Sequence, residues 1–332
     1  MKLDVISLGE LLIDFISMDG GVTFRKVAGG APANVAVACS RLGLKSGFVG
    51  KVGEDEFGLF LRDSLRSAGV DVGKFCFDGE TGTTLAFVFV DADGERRFQF
   101  RRGADGMLSP GEIDENYIKN SRVFHFGSIS LISEPARSAT LKALKVAKKS
   151  GLTVTYDPNL RLNLWENEEE ARKWIGVGLE EADVVKMNDG DAWFMFGSGV
   201  EDAAEKLLEH AKKVFITFGE KGCYYADKNS KGYSSAYKVR VKDTTGAGDG
   251  FMGGVIYGIL NGWGMEKIAS FSNAVGAITV SRIGVIPSLP TLSEVLRLIK
   301  RGKMVTRNFF TLNRRDSHSV VRKGRRNTAQ SI

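Results

Sequence analysis

The sequence predicts an α/β fold: a doubly wound, mostly parallel sheet with helices on both faces, plus a small β-sheet lid. Three observations predict it. From residue 123 onward, short apolar strands alternate with amphipathic helices, the pattern of βα units that build a parallel sheet. Nearer the N-terminus, two pairs of segments alternate apolar and polar residues about turn residues, as strands with one wet face do. Near the end of the series a glycine-rich run, Asp243-Thr244-Thr245-Gly246-Ala247-Gly248-Asp249-Gly250-Phe251, opens a helix.

The elements follow in order. Residues 5–8 read as a buried strand. Residues 11–17 and 22–27 read as two short strands about Asp19-Gly20-Gly21. A small-residue helix over 32–42 closes at Gly43, and a strand at 47–52 precedes a helix over 55–68 that ends at Gly69. Residues 83–90 and 96–101 form a hairpin about Asp91-Ala92-Asp93-Gly94. Strands are then expected at 123–126, 153–157, 184–187 and 214–218. Helices are expected at 134–149, 168–181, 201–212, 247–260, 266–283 and 292–300. The half-wet strands do not fit within a buried parallel sheet, so the lid is assigned to segments of about 11–28 and 75–105 of a single domain spanning 1–303. Ligands bind at the carboxyl ends of parallel strands, where such a layer can close over them.

Composition is that of a globular protein, with 43% hydrophobic and 26% charged residues. The net charge of +6 is local: residues 301–332 carry nine Lys or Arg and one acid, Asp316, leaving 37 basic and 39 acidic residues before them. The segment 304–332 therefore reads as a basic, disordered tail. Its basicity is not interleaved with aromatic residues, which argues against a nucleic-acid site. Cys39, Cys76 and Cys223 are odd in number and in no metal spacing, as expected in a reducing cytoplasm. A first strand at residue 5 leaves no room for a targeting segment, and no apolar run is long enough to span a membrane.

Small residues at Gly246, Ala247 and Gly248 bring backbone N–H groups together at a helix start, where the helix dipole favours a phosphate. Asp249 stands next to them, placed to take a proton from an attacking group. Alone, such a run is also an ordinary helix-capping turn. It is not a P-loop, since G-x-x-x-x-G-K-[ST] is absent, and residues 237–242 before it alternate charges, unlike a dinucleotide-fold strand. The histidines offer little chemistry: His125 lies in an apolar strand, His210 at a helix end and His318 in the tail.

Two signatures, Gly29-Gly30-Ala31-Pro32-Ala33-Asn34-Val35-Ala36 and the 243–251 run, make the chain resemble the ribokinase-like carbohydrate kinases from about residue 5 to 290. Within that family it is most similar to fructokinases. Phe124-His125-Phe126-Gly127, Asp157-Pro158-Asn159-Leu160-Arg161 and Thr217-Phe218-Gly219-Glu220-Lys221-Gly222-Cys223 add to the likeness. The resemblance implies ATP-dependent phosphorylation of a sugar primary hydroxyl, D-fructose to D-fructose 6-phosphate. Asp249 would be the general base and the Gly246–Asp249 backbone the anion hole. Other acceptors in the family, 2-keto-3-deoxygluconate, ribose or a nucleoside, stay open. So does a non-catalytic, regulatory member, although an intact Asp249 and glycine run argue against it.

The resemblance also implies roles for other residues. Asp14, Gly29, Gly30 and Asn34 would hold the sugar, with Arg102 reaching in from the lid and Arg161 from the strand end. Without it, Asp14 reads as a surface acid, Asn34 as a helix-start residue and Arg102 as an exposed strand residue. Lys186, Asn188, Thr217, Gly219, Gly222 and Asn273 would bind ATP. Asp191 occupies the place of the family's glutamate in N-x-x-E, one methylene shorter, and would reach Mg²⁺ through water. Asp243 and Thr245, with groups around Thr279, Arg282, Gly284 and Ser288, resemble a K⁺ loop. The lid is a dimer surface in some members, so a homodimer is a further expectation.

Overall fold

The computed structural model describes residues 2–90 and 96–301. The expected turn at 91–94 and the basic segment 304–332 lie outside them. In chain order the strands are Val5–Leu8 (β1), Leu12–Ser17 (β2), Phe24–Gly29 (β3), Ser46–Gly53 (β4), Asp71–Asp78 (β5), Leu85–Val90 (β6), Arg96–Arg101 (β7), Val123–Gly127 (β8), Thr153–Asp157 (β9), Val184–Asn188 (β10), Lys213–Thr217 (β11), Cys223–Asp227 (β12) and Lys231–Ser234 (β13). Nine of them form one sheet, ordered β13-β12-β11-β10-β9-β8-β1-β4-β5. The other four form a second sheet, ordered β3-β2-β6-β7.

β1 is the hub. All four of its residues are buried, and it pairs in parallel with β4 on one side and β8 on the other. The chain winds outward to β4 and β5, then resumes at β8 and winds the opposite way. The order therefore reverses at β1/β8, and a crevice opens beyond the carboxyl ends there. The pairings β1–β4, β4–β5, β1–β8, β8–β9, β9–β10 and β10–β11 are parallel, and only those of β12 are antiparallel.

Helices cover both faces. On one, Phe124, Phe126 and Tyr156 pack with the helices Ala136–Lys149 and Glu168–Glu181, the Phe126 and Tyr156 rings stacked 4.5 Å apart. On the other, Val35, Cys39, Phe251, Val255 and Ile268 join the helices Ala31–Arg41, Ala247–Leu260 and Met265–Val280. Each fully buried large side chain of this kind stabilises by about 1.5–3 kcal/mol. Gly253 and Gly254 let the middle helix of the three lie directly on Ala38 and Ser272, which seats the helix that carries the glycine run.

The second sheet is the lid. β2 pairs with β3 and β6 with β7 antiparallel, and β2 and β6 join in parallel. Residues 75–78 do not belong to it: β5 is the edge strand of the large sheet, so the expected lid segment 75–105 begins too early. An edge strand and a lid strand both have one wet face, and alternation alone does not separate them. The β12–β13 hairpin and the helix Asp189–Phe196 were likewise not anticipated, being short. The expected helix over 201–212 runs only over Val200–Leu207, and that over 266–283 stops at Val280. Among the described residues no helix is long and apolar enough to cross a membrane.

Candidate active site

Gly246 caps the helix Ala247–Leu260 in the left-handed conformation, with φ of 79°, and a Cβ there would collide with the Val285 side chain. Only glycine suits such a corner. The corner turns the chain sharply enough that the N–H groups of Gly248 and Asp249 lie in a first turn with no preceding turn to accept them. Ala247 N–H donates back to the Thr244 carbonyl at 3.4 Å and Gly250 N–H to the Gly246 carbonyl at 2.8 Å.

The Asp249 carboxylate, 8% exposed, accepts from Asn34 Nδ2 at 2.8 Å. Asn34 lies in the first turn of the helix Ala31–Arg41, begun by Pro32. Two helix starts therefore converge on one carboxylate. Burial pushes the Asp249 carboxyl up to about 6; the Asn34 hydrogen bond opposes this, Asp157 adds to it, and Lys186 and Arg161 oppose it.

Lys186, in the middle of β10, is 4% exposed, with Nζ 2.8 Å from Asp157 Oδ2. A Cβ on Gly248 would fall 2.7 Å from this ammonium, which places Lys186 beside the start of the glycine-rich helix. The second Asp157 oxygen, Oδ1, is buried without a hydrogen-bond partner. Asp191 is also buried. Its Oδ2 accepts from the Leu160 N–H at 3.2 Å, and burial, then Asp157, pushes its carboxyl up to about 6. Asn188 caps the helix Asp189–Phe196, accepting from Asp191 N–H at 2.7 Å. The N-x-x-D segment is thus a helix cap that fixes its own aspartate. Asn159, at φ 44°, turns the chain between Asp157 and Arg161.

One cavity of about 1240 Å³ is lined by Asp249, Lys186, Asn188, Asn159 and Arg161, while Asp157 and Asp191 do not line it. On its β1 side stand Asp14, Gly30, Asn34 and Phe100. In the middle are Asp249, Gly246, Ala247, Gly248, Arg161 and Lys186. On the β11 side are Asn188, Thr217, Gly219, Gly222, Thr245 and Asn273. Its size exceeds what one small ligand fills, so it has room for two reactants end to end.

Other expected residues stand apart from the wall. Gly29 lies against the Asp14 carboxylate without lining the cavity. Arg102 does not line it either: its Nη2 is 2.9 Å from Asp105 Oδ2. Behind the glycine run, Asp243 accepts from the N–H groups of Thr245 at 2.9 Å and Gly284 at 3.2 Å. The hydroxyls of Thr279 and Ser288 donate to carbonyls of their own helices, and Arg282 pairs with Glu294. Asn273 Nδ2 donates to the Ser234 carbonyl at 2.9 Å. Among the described residues no group of three or more His, Cys, Asp or Glu is placed to hold a metal ion. His125 is a core residue, its Nδ1 3.0 Å from Thr155 Oγ1 and burial holding its pKa down at about 3.

The cavity also takes in residues that sequence reasoning passed over: Glu10, Phe100 and the stretch 236–239 with Val241. Alternating charge over 237–242 was the available signal, since a strand-like segment with one polar face can border a ligand. Glu10 and Phe100 carried none.

The model of the pfkB family carbohydrate kinases matches residues 2–292. The chain belongs to that family. This pfkB kinase is 45% identical over 316 residues to fructokinase-2 of Solanum lycopersicum, an alignment covering 90% of this chain and 96% of that protein. Its fold matches a fructokinase from Xylella fastidiosa with bound ATP at a TM-score of 0.85 and 31% identity, over 91% of this chain and all of that one. It also matches a fructokinase from Vibrio cholerae O395 holding fructose, ADP and a calcium ion, at 0.82 and 31%, over 90% and 99% of the two chains. The pfkB kinase thus has the expected mostly parallel sheet with helices on both faces and the small second sheet, with the two signature segments meeting at Asp249.

Proposed function

We propose that this pfkB kinase phosphorylates D-fructose on its 6-hydroxyl with ATP. One observation carries the reading: Asp249 stands between the sugar-side group of Asp14, Gly30 and Asn34 and the phosphate-side group of the first helical N–H groups and Lys186. Likeness to fructokinases, one holding ATP and another fructose with ADP, supports the choice of both reactants.

The chemistry follows from the residues. Asp14 and Asn34 pair with sugar hydroxyls, since an unpaired buried partner costs about 1–3 kcal/mol. Asp249 takes the proton of the primary hydroxyl as that oxygen attacks the terminal phosphorus. The N–H groups at 246–249 and the Lys186 ammonium meet the charge gathering on the transferred phosphoryl, and need no reorganisation as it forms. Arg161 holds phosphate or sugar from the opposite wall. Thr217, Gly219, Gly222 and Asn273 cradle the adenosine end. Lid closure by β2, β3, β6 and β7 excludes water, which would compete as acceptor.

A magnesium ion fits this wall. Asp157 and Asp191 are buried beside it, Asp157 acts on both Asp191 and Asp249, Lys186 offsets both of those carboxyls, and the Asp157 Oδ1 atom has no hydrogen-bond partner. Asp157 and Asp191 would hold the hydrated ion through its waters, with Asn188 fixing Asp191. When bound with ATP, the ion neutralises the phosphates. The loop of Asp243, Thr245 and Gly284 suits a K⁺ ion behind the anion hole. The half-buried row of Phe15, Phe87, Phe24 and Phe89 on the lid suits a lid-to-lid homodimer. Three free cysteines suit a reducing cytoplasm.

The test is a coupled assay over fructose, ribose, 2-keto-3-deoxygluconate and nucleosides, with ATP and Mg²⁺, with and without K⁺. Fructose should give the highest kcat/KM. A higher value for another acceptor would replace fructose, and no turnover on any of them would remove the enzyme reading.

A further inference from the structure

Glu10 lies two residues beyond the end of β1, is 3% exposed and lines the sugar side of the cavity. Its two oxygens are unequally served. Oε1 accepts from the Ala31 N–H at 2.9 Å, tying the side chain to the loop that leads into the helix Ala31–Arg41. Oε2 is buried with no partner. A glutamate packed this way, with one oxygen unserved, is an uncommon arrangement in a finished structure.

A second buried orphan lies at the root of the lid. Arg102 stands immediately after β7, and its Nη2 is paired with Asp105. Its Nε is buried and has no partner. Asp105 in turn accepts from Thr84 Oγ1, just before β6, and that hydroxyl accepts from the Gly103 N–H at 2.7 Å. Arg102, Asp105 and Thr84 therefore bind the two lid strands together at their base. The Arg102 charge acts on Glu10. Burial pushes the Glu10 carboxyl up to about 7, Asp105 adds to this and Arg102 opposes it.

We infer that Glu10 is a positioning residue for sugar binding: with sugar bound and the lid closed, its Oε2 accepts from Arg102 Nε, locking the sugar loop at 29–31 to the root of the lid. The contact satisfies two buried atoms of opposite charge at once and aims Arg102 across the mouth of the sugar side. Charge-assisted bonds of this kind are among the stronger ones available to a protein. The inference rests on the reading of this cavity as a sugar-kinase site.

Glu10→Gln tests it, because glutamine keeps the size of the side chain and an oxygen for the Ala31 N–H but loses the charge. The fructose KM should rise about tenfold while the ATP KM stays within about twofold and the melting temperature does not fall. Arg102→Gln should show the same split, and the double variant should be no worse than the worse single one. Hydrogen exchange over 84–90 and 96–101 should slow when fructose binds the wild type, and this protection should be lost in Glu10→Gln. Equal changes in both KM values, additive losses in the double variant, or full fructose protection in Glu10→Gln would each overturn the inference. If the wild type turns over another sugar instead, the substrate assignment fails and the same measurements are made with that sugar.

Discussion

Asn34 Nδ2 lies 2.8 Å from Asp249 Oδ2, a bond between residues 215 positions apart that ties the start of the helix Ala31–Arg41 to the start of the helix Ala247–Leu260. The amide does two things at once. It orients the Asp249 carboxylate, and it favours the charged form that a base at this position, as proposed, would need.

Removing that donor should therefore be visible in acid. Asn34→Ala takes away the hydrogen bond that opposes burial, so the Asp249 carboxyl moves above about 6. The acidic limb of kcat/KM for fructose should move to higher pH by roughly half to one unit. A pH–rate profile checks this, and an unmoved limb would mean that Asp249 does not set it.

Asp249→Asn should lower kcat by about 10²–10⁴ with ATP affinity nearly intact, as measured by steady-state kinetics and nucleotide titration. The same variant carries a stability signature. A carboxyl raised from 3.8 to about 6 on folding contributes stability that is fully present below 3.8 and lost as pH rises through 6. The variant should thus melt higher than the wild type at pH 8, with the gap closing toward pH 4. Thermal unfolding across that range decides it.

Lys186 and Asp157 form a buried pair at 2.8 Å, so losing one partner strands the other. Lys186→Met should cost about 3–5 kcal/mol of stability and lower turnover. Adding Asp157→Asn should restore most of the stability but not the turnover, because the phosphate side still lacks its cation. Denaturant titration and kinetics on the two variants separate these effects.

Gly246→Ala meets two obstacles, a left-handed φ of 79° and the Val285 side chain. The backbone term alone costs about 1–2 kcal/mol. Turnover should fall at least a hundredfold as the N–H groups shift. Val285→Ala in the same chain should recover part of the melting temperature, by relieving the clash while leaving the backbone strain. No recovery would mean that the backbone term dominates.

Much of the site was legible because it sits in short, continuous segments. The 243–251 run and the 29–36 run each hold their own turn and helix start, so residue type and spacing carry the geometry. Asn188 and Asp191 were legible for the same reason, three residues apart on one cap. Arg102 was not. Its position at the end of a lid strand was read correctly, but the partner that turns its guanidinium, Asp105, lies in a one-turn 3₁₀ segment without periodicity. The Thr279 and Ser288 hydroxyls and the Arg282 guanidinium take partners along their own segments, and sequence spacing does not show how the backbone carbonyls there lie around Asp243.

Chain order by itself determined the alternation of strands and helices, the two-signature resemblance and the carboxylate beside a helix start, since each depends on neighbours a few residues apart. Only the tertiary structure decided that Asn34 grips Asp249, that Lys186 stands beside Gly248, that residues 71–78 edge the large sheet and that Glu10 meets the cavity. Those facts depend on how two faces of a sheet close around the β1/β8 reversal, and packing energy between distant residues leaves no local pattern to read.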